Sequence, residues 1–162
     1  MTAVQTSYTD RPAAGAPGQE YDCAFTDVVS WTADEAIPFG AYVAETREGG
    51  CELPDTSAEV TSNKGGIALI DPTKASGVGY EVGDQVRVMR AGRCFGLVEE
   101  AMAKGDAIFA RYAAGTGTQK GALRNDIDST TAITPPGMSV FKGGTVAGGV
   151  VFELKYPGSA TG

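Results

Sequence analysis

Apolar and polar residues alternate in short runs along most of this chain, and a period of two marks strands whose successive side chains point to opposite faces. In Asp22–Trp31, the residues Cys23, Phe25, Val29 and Trp31 share one face, with Asp27 the charged exception, and Ala24, Thr26, Val28 and Ser30 share the other. Ile37-Pro38-Phe39-Gly40 ends this run, because proline cannot donate to a ladder and glycine permits a turn. Ala41–Glu45 and Cys51–Leu53 flank Arg47-Glu48-Gly49-Gly50, which predicts a hairpin. Gly66–Ile70 is a short apolar strand stopped by Asp71-Pro72, and a loop follows over 73–80. Val86–Met89 and Cys94–Val98 flank Arg90-Ala91-Gly92-Arg93. Gly92 suits the left-handed position of a three-residue hairpin loop. Glu99–Lys104 predicts one helical turn capped by Gly105, Asp106–Tyr112 a further strand, and Val146–Tyr156 a last one, bent at its glycine pair.

Two stretches break the alternation. Residues 1–20 have no period of 2 or 3.6 and cannot bury one continuous face, so they read as an extended N-terminal arm. Residues 113–145 are rich in Gly, Thr, Ser and Pro and predict an ordered surface loop with one short strand. The fold expected is all-β: a small antiparallel barrel or sandwich of short strands, with the arm at 1–20, a single domain over 21–162 and at most one short helix. Val82-Gly83-Asp84 and Lys104-Gly105-Asp106 echo one another, and two similar turns leading into strands account for this.

Composition sharpens the picture. The 162 residues include 23 glycines, which favours many turns and short strands. The net charge of −7 opposes binding to nucleic acid or to an anionic membrane surface, both of which reward clustered Lys and Arg. The first residues lack the charged and apolar regions of a signal peptide, and no run of 18 apolar residues predicts a membrane helix. Cys23, Cys51 and Cys94 are far apart. They read as reduced, buried small hydrophobes of a chain made in a reducing compartment.

Candidate chemistry is sparse. The chain has no His, which removes the commonest general base and metal ligand; no catalytic residue, metal site or cofactor is expected. Gly115-Thr116-Gly117-Thr118-Gln119-Lys120-Gly121 misses the spacing of a phosphate loop by one residue. Asp126-Ile127-Asp128-Ser129-Thr130 begins like a calcium loop but lacks its Gly and its terminal Glu. Asp55-Thr56-Ser57 lacks the glycine and the second copy of an aspartic-protease triplet, and Glu100–Lys104 displaces the lysine of a biotin-carrier turn. Arg87, Arg90 and Arg93 cluster about the predicted hairpin, a local positive spot able to pair with carboxylates on a partner or to stand solvated.

The order of these features resembles the phage structural cement, or head decoration, family. The likeness rests on Asp27-Val28-Val29-Ser30, Ile37-Pro38-Phe39-Gly40, a Gly-Gly-Ile strand, Tyr80-Glu81-Val82-Gly83-Asp84-Gln85-Val86, Ala91-Gly92-Arg93, Val98-Glu99-Glu100-Ala101, Gly105-Asp106 and Val150-Val151-Phe152-Glu153-Leu154. It spans roughly residues 8–156 and is weakest over 113–145. The resemblance implies a non-enzymatic protein on the outer surface of the virion. It further implies a homotrimer that binds the major capsid protein and stabilises the assembled head. In the arm, Tyr8 offers an anchoring ring, Arg11 a fork for a carboxylate, and Pro12 and Pro17 local extension; these four are the expected docking residues. The rival reading is a ligand- or carbohydrate-binding β-module, which would want an aromatic platform; Trp31 sits instead in a core-like pattern.

Overall fold

The alternating segments become strands in the computed structural model, which describes residues 15–22, 25–47, 49–62, 64–74 and 78–155. In chain order the elements are β1 (Asp27–Ala33), β2 (Ile37–Pro38), β3 (Tyr42–Arg47), β4 (Gly50–Glu52), α1 (Ser57–Thr61), β5 (Gly65–Ala68), β6 (Gly79–Tyr80), β7 (Gln85–Gly96), β8 (Phe109–Arg111), β9 (Leu123–Arg124), a 3-10 turn (Asp128–Thr130), β10 (Ala132–Ile133), β11 (Met138–Lys142) and β12 (Val150–Leu154). The protein is all-β, as the pattern predicts. Among the described residues no helix is long and apolar enough to cross a membrane.

Five strands close into a barrel. The main sheet runs β1-β4-β3-β5-β7-β12-β11, and β1 pairs again with β7. The ring is antiparallel except at one seam, where β1 and β4 run parallel with Thr32 opposite Gly50. Closure leaves no free edge around the ring. The outer edge of the main sheet is β11, beyond β12.

Alternation sorts the buried residues into two cores. Trp31, Ala33, Val43, Cys51, Ala68, Val86 and Val88 come from all five ring strands and cluster together inside the barrel. Their neighbours Tyr42, Ile67 and Met89 point through the wall into a second cluster with Val60, Ala110, Leu123, Val140, Phe152 and Leu154. Thus α1, the small β8–β9–β10 sheet and β11–β12 cover one outer side of the barrel. Each fully buried Val, Leu, Ile or Phe contributes about 1.5–3 kcal/mol relative to exposure.

Three local expectations are corrected. First, there is no hairpin at Arg90-Ala91-Gly92-Arg93: β7 runs unbroken from Gln85 to Gly96. Its first half pairs with β1 and β5, and its second half with β12. Gly92 (φ +130°) bends the strand where the partners change, a backbone state that L side chains rarely adopt. Second, residues 99–104 form no helix. The helix is α1, begun by a capping box in which Thr56 Oγ1 accepts from the Glu59 N–H and Glu59 Oε2 accepts from the Thr56 N–H. Third, Phe25 does not join the core face of its strand and is 80% exposed.

Other expectations hold. β3 and β4 form the predicted hairpin. The two echoing turns are built alike: Asp84 Oδ2 accepts from the Glu81 N–H at 2.8 Å and Asp106 Oδ2 from the Ala103 N–H at 2.8 Å. Cys51 and Cys94 are buried free thiols. Burial pushes Cys51 up to about 12 and Cys94 well above the usual thiol range. Cys23 lies outside the described residues.

Candidate functional site

The first candidate surface is where the N-terminal segment meets β7. The Gly18 N–H donates to the Phe95 carbonyl, the Phe95 N–H to Gln19 and the Tyr21 N–H to Arg93, so residues 18–21 add a short strand beside the second half of β7. The chain then continues as β1 along the first half. A Cβ on Gly18 (φ +83°) would lie 2.7 Å from the Ile70 amide nitrogen, so a residue with no side chain is needed at this crossing. Residues 15–20 of the predicted arm are therefore seated on the barrel. Pro17 is exposed beside this crossing. Tyr8, Arg11 and Pro12 lie outside the described residues.

Two of the three arginines of the predicted spot, Arg87 and Arg93, face this strap. Arg87 donates to Glu20 at 2.9 Å and to the Ile70 carbonyl at 3.3 Å. Arg93 pairs with Asp22 at 2.9 Å and Glu153 at 3.0 Å, and its guanidinium lies 3.9 Å from the centre of the Phe141 ring. Arg90 lies over Trp31, 5.9 Å from the ring centre. Tyr21 packs between Phe95 and Phe141, with both ring centres at 5.8 Å. Arg87 and Arg93 thus pair with this chain's own carboxylates and hold down the base of the arm.

The second candidate is a network that sequence reasoning missed. Arg111 on β8 is 2% exposed. Its guanidinium forks onto Glu99 at 2.7 and 2.8 Å. It also donates to Asp128 Oδ2 at 2.6 Å, to Thr131 Oγ1 at 2.7 Å and to the Ala113 carbonyl at 3.3 Å. Arg124 on β9 reaches Glu99 at 2.7 Å, Asp126 at 2.6 Å and Asp128 at 3.3 Å. The hydrogen bond from Arg111, more than any other influence, holds the Asp128 carboxyl below its ordinary range. Asp126 and Asp128, the start of the rejected calcium loop, therefore spend their charge on arginines.

This network holds a strained turn. Asp128, Ser129 and Thr130 have φ of 38°, 54° and 77°, the three non-glycine residues with positive φ among those described. Such a state costs roughly 1–2 kcal/mol per residue, and persists where surrounding contacts over-determine it. The Tyr112 hydroxyl adds a hydrogen bond to the Thr130 carbonyl. At the tip, Ile127 is 51% exposed.

A third feature is a shallow apolar groove of about 350 Å³ lined by Ile37, Pro38, Val78 and Tyr80. Trp31 is 6% exposed and cannot serve as a platform for a sugar ring.

Comparison with known proteins decides the family. The family model described as structural cement protein (E217 gp24/Pam3 gp6) matches residues 4–155. The chain belongs to this family. No curated protein matches it. Among solved structures, a chain of the capsid of Myoviridae Phage XM1 shares the fold at a TM-score of 0.72 and 16% sequence identity, covering 96% of this chain and 99% of that one. The cement-family match takes in the strap, the β7 arginines and the Arg111 network alike, and the segment 113–145 with them.

Proposed function

We propose that this protein decorates the exterior of an assembled phage head, binds the major capsid protein, and stabilises the shell without catalysis. The observation that carries this reading is the family match across residues 4–155, borne by a barrel with few free edges. A protein that binds only the assembled lattice stabilises it by mass action. A homotrimer matches the local three-fold points of such a lattice. A chain of net charge −7 resists premature self-association in the host cytoplasm where it is made.

In this reading residues 1–14 are the docking arm, with Tyr8 as anchor, Arg11 as its charged fork and Pro12 limiting the entropy lost on docking. The strap at 15–22 fixes where the arm begins. Pro17 sits at its base, and Arg87 and Arg93 hold Glu20 and Asp22. Arg90 lies apart from this pair, over the Trp31 ring. The test uses heads assembled without the protein. Adding the full chain should raise the temperature at which heads release their DNA; deleting residues 1–14 should remove most of that gain while leaving the melting of the free protein unchanged. Heads whose release temperature is indifferent to the full chain would refute the reading.

A further inference from the structure

The turn at 126–131 carries an exposed apolar residue, Ile127 at 51%. Phe25, Val78, Val82 and Val146 are also exposed, but none of them borders a run of non-glycine residues with positive φ. Ile127 instead precedes three residues held in the left-handed region, and its own carbonyl is fixed by the N–H groups of Thr130 and Thr131 at 3.0 and 3.1 Å. Its backbone is thus locked, while its side chain faces solvent. Arg111, buried beneath, grips both ends of the turn through Asp128 and Thr131. Beside Ile127, the Asp126 side chain is 59% exposed, and its bonds use Oδ1 alone.

A chain relieves such strain easily: one glycine at Ser129 would do so. Strain retained at an exposed tip, with a buried arginine fixed beneath it, fits a surface that must keep one shape. Preorganisation raises affinity because less order is lost on binding. The charge around the tip selects the partner. Glu99, Glu100, Asp126 and Asp128 are four carboxylates against the two guanidiniums of Arg111 and Arg124. A second copy of this acidic chain would bring like charge to the contact, whereas a lattice protein with a basic rim would complement it.

We propose that Ile127, presented on the turn locked by Arg111, is a second docking point, which inserts into a shallow apolar pocket of the head protein while Asp126 meets a basic side chain at the rim. This rests on the capsid-binding reading and adds a contact on the body to the one made by the arm.

The test measures binding of the full chain and two variants to heads that lack the protein, along with melting and oligomeric state of each free protein. Ile127→Asp should bind at least tenfold more weakly with unchanged melting. Ser129→Gly should melt no lower than the parent, because glycine adopts this positive φ without strain, and should bind as the parent does, because Arg111 still holds Asp128 and Thr131. If the parent binds and Ile127→Asp binds equally well, the docking point is refuted and the capsid reading stands. If the parent itself does not bind, both fall. If Ile127→Asp dissociates the free oligomer, the turn contacts another copy and the assignment to the head is overturned.

Discussion

The barrel interior and the segment 113–145 are held by different forces. Inside the ring, Val43, Ala68, Val86 and Val88 are fully buried and apolar, and each arrives by strand alternation. Over 113–145, where the sequence predicts one short strand, there are three: β9 and β10 of two residues each and β11 of five, and the side chain that organises 113–131 is Arg111. The barrel is stabilised by removing apolar area from water, which tolerates small changes of shape. The network depends on direction: each donor of Arg111 has a matched acceptor, and losing one partner leaves a buried charge uncompensated. Regularity comes from the first kind of order, and specific shape at the surface from the second.

Substitutions should separate the two. Trp31→Ala empties a site inside the ring and should cost about 3–5 kcal/mol, seen as a lower denaturation midpoint of the whole protein. A loss below about 1 kcal/mol would mean that the interior is not a packed core. Arg111→Met should cost about 3 kcal/mol, the low end for breaking a buried pair, because Asp128 keeps access to water. Its signature is local: hydrogen exchange should rise over 113–131 while the β7 amides stay protected. Equal acceleration throughout would make the network part of the barrel's own stability.

Acid should reach the network before the barrel. Arg111 holds Asp128 below its ordinary value. A carboxyl depressed in the fold contributes fully above the unfolded value near pH 3.9, and that contribution fades as pH falls through the folded value. Protection of the 126–131 amides should therefore drop below about pH 4, ahead of global unfolding, and Asp128→Asn should remove this acid step. The smallest effect belongs to the strap. Arg87→Gln breaks an exposed pair with Glu20 and should cost less than about 1 kcal/mol, with a salt dependence that the variant lacks.

What could be read from sequence follows the same division. Alternation located β1, where burial on one face writes itself locally, and short apolar runs bounded by turn residues located β3, β4, β5 and β12. Gly92 predicts a hairpin loop but marks a bend where β7 changes partners; a hairpin and a bend both call for glycine there. The helix is signalled by the capping box Thr56-Ser57-Ala58-Glu59, whereas the longer run at 99–104 has no capping residue before it. The partners of Arg111 were not legible, since Glu99 and Asp128 stand 12 and 17 residues away and no spacing rule joins them. One hint was Asp126-x-Asp128, acids whose partners sequence could not name. The strap's pairs, Arg87 with Glu20 and Arg93 with Asp22, span 67 and 71 residues and were equally hidden.

The most direct test of the central claim is a cryo-electron microscopy reconstruction of heads, assembled without this protein and then mixed with it. The account predicts added density on the outer surface of the shell, three barrels about each local three-fold point, with the base of the arm and the Ile127 turn toward the lattice. Density inside the shell, or a shell that stays bare at saturating protein, would contradict it.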